Sequence, residues 1–226
     1  MSTTPTKTPA KAPPRRPYRQ RLRAESVAQT RQRIIDAART ALTTPPPRTF
    51  NLSEVAERAG VVRSTIYTVF GSRRGLLQAV LDDVAARGGW ERMVAAYRHP
   101  DALAALLGNI DAGTRMASDE HPVITAVFAL AAVDADAAAV AAEEGEKRRR
   151  GLGDMLRRLR EQGYLRPDLD DDEALDIAYL LASFRTFDQL YTERGLDQPT
   201  AAQRLMRLAT STLCRPEALP PPGETP

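Results

Sequence analysis

An all-α protein is what this sequence predicts, on three observations. Apolar residues recur at the three- to four-residue spacing of a helix face along most of the chain. Breaks centred on Pro, Gly and Asp divide that pattern into segments of helix length. No alternating β-branched run competes with it.

Residues 1–22 are dense in Pro, Thr and Lys/Arg, lack an apolar period, and are expected to form a disordered basic arm. Seven basic residues, from Lys7 to Arg23, precede the first acid, Glu25. The arm is therefore either a solvated tail or a mobile element that adds phosphate or minor-groove contacts. The first helix is predicted over about residues 25–42, burying Ile34, Ala38, Ala41 and Leu42, with Pro45-Pro46-Pro47 as its stop.

Residues 51–73 carry the strongest local signal. Leu52, Val55, Ala56 and Ala59 mark one face of a short helix, and Ile66, Val69 and Phe70 mark one face of another. Ala56 is small where the two helices cross, and Gly60 stands where the chain leaves the first one and positive φ is easiest. Asn51 and Glu54 have the spacing of an N-cap and its reciprocal partner. The second segment exposes Arg63, Ser64, Thr65, Tyr67 and Thr68, side chains suited to phosphates and base edges. This pattern is a helix-turn-helix, whose second helix enters the DNA major groove. An ordinary helical hairpin in a core is the alternative.

A fourth helix is predicted from an N-cap at Ser72, with Leu76, Leu77, Val80, Leu81 and Val84 inward and a break at Gly88-Gly89. Further helices are predicted over about 90–98, 101–117, 121–133, 136–163, 171–194 and 199–214, and a loose Pro-rich tail over 216–226.

Composition narrows the function classes. With 27% charged and 42% apolar residues, the balance is that of a globular protein. No run approaches the ~20 apolar residues of a membrane span, and no apolar segment follows the basic N-terminus, so the cytoplasm is the expected compartment, with no membrane partner. Residues 1–89 hold 16 Lys/Arg against 6 Asp/Glu, whereas residues 90–226 hold 16 against 23. A basic N-terminal third on an acidic body is the layout of a DNA reader. Cys214 is the only cysteine, which removes an internal disulfide, and a small buried apolar residue is its expected role. With two His, no nucleophile–base pair, no glycine-rich phosphate loop and no metal-ligand spacing, an enzyme is not expected, nor a cofactor or metal.

The run Val55-Ala56-Glu57-Arg58-Ala59-Gly60-Val61, followed by Thr65-Ile66-Tyr67, Phe70-Gly71-Ser72-Arg73 and Leu76-Leu77, resembles the TetR (tetracycline-repressor-like) family of bacterial regulators over about residues 25–85. The resemblance implies a three-helix helix-turn-helix DNA-binding domain (23–71), then a linker helix and a helical ligand-binding and dimerisation domain (72–215). It also implies a homodimer whose last two long helices form the interface. Here those carry Leu175, Ala178, Leu181 and Ala182, then Leu205, Leu208, Ala209 and Leu213; packing of these stripes inside one chain is the alternative. Two departures stand out. Val62 replaces the frequent Ser or Thr cap, so the recognition helix either starts a residue later or uses Ser64. Arg73 replaces the frequent Lys at the start of the fourth helix.

On this reading the DNA-binding residues are Arg63, Ser64, Thr65, Tyr67, Thr68 and Arg73. Arg63, Ser64 and Thr68 face outward as base readers, although Arg63 is alternatively a solvated surface residue. Thr65 adds a backbone contact, and Tyr67 resembles the family's phosphate-contacting tyrosine. Arg73 sits at a helix N-terminus, where unpaired N–H groups favour a phosphate. Trp90, Met93, Tyr97, Met116, Phe128, Tyr179 and Phe184, with Phe187, either line an apolar cavity or pack as core. His121 is either a polar anchor for a ligand or a helix-boundary residue. The expected function is a ligand-responsive, sequence-specific transcriptional regulator, a homodimeric repressor released from a palindromic operator in double-stranded DNA by an apolar or amphipathic small molecule. A helical scaffold with a lapsed DNA-binding half is the alternative.

Overall fold

The computed structural model describes residues 15–44 and 50–218, and among them the only extended pairing is an isolated bridge between Leu165 and Cys214. Eleven helices follow in order: α1 Arg15–Thr43, α2 Leu52–Ala59, α3 Arg63–Phe70, α4 Arg73–Arg87, α5 Trp90–Tyr97, α6 Ala102–Asp119, α7 His121–Ala131, α8 Ala135–Glu161, α9 Asp171–Leu181, α10 Phe184–Asp188 and α11 Gln198–Leu213. The all-α reading holds. Residues 1–14 of the basic arm, Pro45-Pro46-Pro47 and residues 219–226 lie outside the described residues. α1 starts at Arg15, earlier than expected and inside the stretch read as disordered arm.

Side-chain caps set most helix starts. Asp101, Asp134, Asp170 and Asp197 accept from Ala104, Ala137, Glu173 and Thr200 backbone N–H groups at 2.7, 3.0, 2.8 and 2.9 Å. Asn51 caps α2 through Ser53 N–H at 2.8 Å, but Glu54 does not reach back to it. Glu54 instead pairs with Arg58 at 3.0 Å, one turn along the exposed face. At the end of α2, Gly60 has φ +64°, and the N–H groups of Gly60 and Val61 donate to Glu57 and Ala56 carbonyls.

The segment expected as one helix over 171–194 is broken. α9 ends at Leu181, and Ser183 adopts extended backbone, its hydroxyl accepting from Thr186 N–H at 3.1 Å. The Thr186 hydroxyl donates to Leu180 carbonyl at 2.6 Å, so the polar pair closes one helix and opens the next. After Asp188 the chain widens into a π turn over Gln189–Glu193.

Two cores result. The first joins α1–α4 (Ile34, Val55, Ile66, Leu76, Val80) to Val123 and Val127 of α7 and Ala137 and Val140 of α8. The second joins α6, the far half of α8, α9, Phe187 and α11. Ala178, Leu205, Ala209 and Leu213, expected on a seam between protomers, are buried in this second core. What α9 and α11 leave outward is Leu180, 64% exposed, and Leu208, 47% exposed.

Candidate functional site

α3 stands on the first core through Ile66, which is fully buried, and presents Arg63, Ser64, Tyr67 and Thr68 outward, with Thr65 half-buried. Five of the six residues expected to touch DNA therefore lie along one short helix. The Arg63 guanidinium donates to the Tyr67 hydroxyl at 3.1 Å and lies 5.7 Å from that ring's centre, which pre-orients the longest side chain on this surface. Thr68 donates its hydroxyl proton to Ser64 carbonyl at 3.0 Å, leaving its lone pairs and methyl outward. The helix begins at Arg63 with no side-chain cap, since Val62 has no acceptor. Ser64 does not replace it.

Arg73 is placed differently from the expectation. Its guanidinium grips Asp134 through Nη1 and Nη2, both at 2.8 Å, reaches Asp136 at 3.0 Å, and stacks 5.4 Å from the Phe50 ring centre. The hydrogen bonds from Arg73 hold the Asp134 carboxyl below the usual carboxylate range, and Asp134 in turn raises Arg73. Sequence reasoning assigned this charge to a phosphate because the helix N-terminus invites one. Two carboxylates at the start of α8, the N-cap Asp134 and Asp136 of the first turn, occupy it instead.

The start of α4 also has a steric need for glycine at position 75. A Cβ on Gly75 would stand 2.1 Å from Phe70 carbonyl oxygen, so the close approach of α3 and α4 requires Gly there.

Between α5, α6, α8, α9, α10 and α11 lies a cavity of about 670 Å3, within the range of small-molecule sites. Trp90, Met93, Tyr97, Met116, Phe184 and Phe187 line it. Phe128 and Tyr179 do not. Phe128 stacks behind Phe184 with centroids 5.5 Å apart and planes within 2°, and Tyr179 lies beneath Arg148. His121 is also outside the cavity wall, bonded to Asp188 at 2.7 Å.

Arg148 and Ser183 are lining residues that sequence reasoning missed. Arg148 belongs to the run Lys147-Arg148-Arg149-Arg150, which reads as a solvated face. Its spacing from Val140, Glu144, Leu152, Met155 and Leu159 nevertheless puts it on the inward stripe of α8, and that register was the available signal.

Comparison with known proteins agrees with this geometry. Residues 34–80 match the family model described as bacterial regulatory proteins, tetR family. An uncharacterized HTH-type transcriptional regulator of Mycobacterium tuberculosis is 34% identical over 96 residues, covering 42% of this chain and 47% of that protein. The match thus spans about half of that relative's length. Among solved structures, a transcriptional regulator from Saccharomonospora viridis in complex with choline aligns with a TM-score of 0.64 at 17% identity, covering 83% of this chain and 99% of the other. The fatty acid degradation regulator FadR from Bacillus halodurans aligns with a TM-score of 0.62 at 17% identity, over 80% and 98%. At such identities the likeness is one of fold.

Proposed function

From the premise that this chain carries the N-terminal domain of the tetR family of bacterial regulatory proteins, we propose that it is a sequence-specific DNA-binding repressor released by a small molecule. The observation that carries the reading is the exposed row Arg63, Ser64, Tyr67 and Thr68 on a helix anchored by one buried Ile66. Tyr67 and Thr65 position the helix on phosphates, and Arg63 reads base edges, with a guanine O6/N7 pair contributing about 1–3 kcal/mol of discrimination. The N–H groups at the uncapped start of α3 add a phosphate site.

In this reading the protein is a homodimer. Eight residues cover one half-site, and a twofold pair presents two such helices about 34–36 Å apart on successive major-groove faces. Leu180 and Leu208, which α9 and α11 leave exposed, are the apolar side chains we assign to the dimer contact.

The cavity takes the effector. An effector that binds the cavity better when the two α3 helices are out of register lowers operator affinity by its differential affinity, about 1–3 kcal/mol.

Fluorescence anisotropy on DNA from the promoter of the chain's own gene tests the proposal, together with sedimentation of the free protein. The expected result is a dimer that binds selectively and loses affinity as salt rises. A monomer without sequence preference overturns the reading.

A further inference from the structure

We propose that the cavity selects an anionic amphiphile, an apolar body with a carboxylate head, and that Arg148 is the residue that receives the head. The inference rests on the effector reading above and deepens it. Arg148 projects from the inward stripe of α8 into the cavity wall, with its guanidinium 4.4 Å from the centre of the Tyr179 ring. Its Nε is buried without a hydrogen-bond partner, and no carboxylate pairs with it among the described residues. A buried guanidinium N–H without a partner costs stability, and an anionic head seated in the cavity beside Arg148 supplies it with an acceptor.

The surrounding charges favour the same sign. Three basic side chains and one acidic one line the cavity: Arg98, Lys147, Arg148 and Glu144. Glu144 is already engaged, accepting from Gln78 and pairing with Lys147, both at 2.7 Å. A cationic guest would therefore meet an excess of positive charge and no unengaged acid. The rest of the wall is Trp90, Met93, Leu106, Ile110, Met155 and Phe184, which suits a flexible apolar body. Tyr179 supports the arrangement from behind. Its hydroxyl lies 3.0 Å from where a Cβ on Gly145 would be, so that glycine leaves room for the ring that carries Arg148.

Trp90 is the chain's only tryptophan and stands at the cavity, 53% exposed, which makes its fluorescence a direct reporter. The full-length protein is titrated with decanoate, decanol and decyltrimethylammonium, and binding is confirmed by calorimetry. Decanoate is expected to bind about ten- to a hundredfold tighter than decanol, with the ammonium weakest. Arg148→Met should bring decanoate and decanol within about threefold of each other, and Arg148→Lys should keep part of the preference. Decanol binding as tightly as decanoate, or an Arg148→Met protein that keeps the preference with an intact melting transition, overturns the assignment. Should none of the three bind, the cavity is no site for an apolar effector, and both proposals about it fail. Selective decanoate binding that leaves operator affinity unchanged upholds the charge assignment and overturns only the coupling to DNA.

Discussion

Arg73 offers the sharpest test of how this molecule divides its charges, because a phosphate and an acidic clasp make opposite demands on it. The perturbation is a double-mutant cycle of Arg73→Met and Asp134→Asn. Asparagine keeps the side-chain oxygen that caps Ala137 N–H, so the single change removes the charge and spares the start of α8. The Arg73 and Asp134 side chains are 21% and 24% exposed, between a surface pair at about 0–1 kcal/mol and a buried one at about 3–5 kcal/mol when broken. The two-pronged grip places the coupling at about 1–2 kcal/mol. Urea unfolding of the four proteins at neutral pH measures it. Because bonding to Arg73 lowers the folded-state pKa of Asp134, this stabilisation is complete above the ordinary carboxylate value near 4. It is lost as the pH falls through the lower folded value, and Asp134→Asn removes that part of the acid sensitivity. Operator binding supplies the second readout. A guanidinium held by acids neutralises no phosphate, so Arg73→Met should leave the salt slope unchanged. A coupling below about 0.3 kcal/mol, or a slope reduced by about 0.9, refutes the clasp.

Other perturbations follow from the same structure. Arg63→Ala should lower operator affinity by about 1–3 kcal/mol and relax preference at a single base pair, read from a panel of substituted operators. Gly75→Ala should destabilise the protein by about 2 kcal/mol or more in thermal unfolding, although Ala is the better helix former, because the new methyl meets Phe70 carbonyl oxygen; a stabilised variant would contradict the close approach of α3 and α4. Burial pushes the Cys214 thiol up to about 11, so it should resist Ellman's reagent at mildly alkaline pH and react fully once the chain is unfolded.

Local patterns were the legible part of this chain. Period, caps and glycines within residues 51–73 marked the buried faces of α2 and α3 and the turn between them, because Ile66 and Gly60 act through neighbours only a turn away. The break at Ser183 was written just as locally, in a serine three residues before a threonine, but the apolar residues around it continue with helical spacing and hide it. Long-range partners were the illegible part. Nothing near Arg73 in sequence announces Asp134, 61 positions away, so its charge was assigned to the ligand that a helix N-terminus ordinarily attracts. Amphipathic period also tells that a face is covered without telling by what. Leu205, Ala209 and Leu213 carry the stripe expected of an interface and are spent on the chain's own second core.

In the proposed mechanism the clasp acquires a further meaning. α8 is 27 residues long, about 40 Å of continuous helix, and contributes to both cores. Its first turns, with Ala137 and Val140, belong to the core beneath α2 and α3, while Met155, Leu156 and Leu159 belong to the core beside the cavity. Arg148 meets the cavity between them. Three polar bridges fasten α4 to this helix: Arg73 to Asp134 and Asp136, Arg74 to Glu143 at 3.2 Å, and Gln78 to Glu144 at 2.7 Å. The fourth helix is therefore not a lone linker. It cannot rotate without carrying α8 or breaking charge-assisted bonds, and packed helices shift between discrete arrangements more readily than they deform. An effector seated against Arg148 acts on the middle of a rod whose near end holds the start of α4, three residues beyond the end of α3.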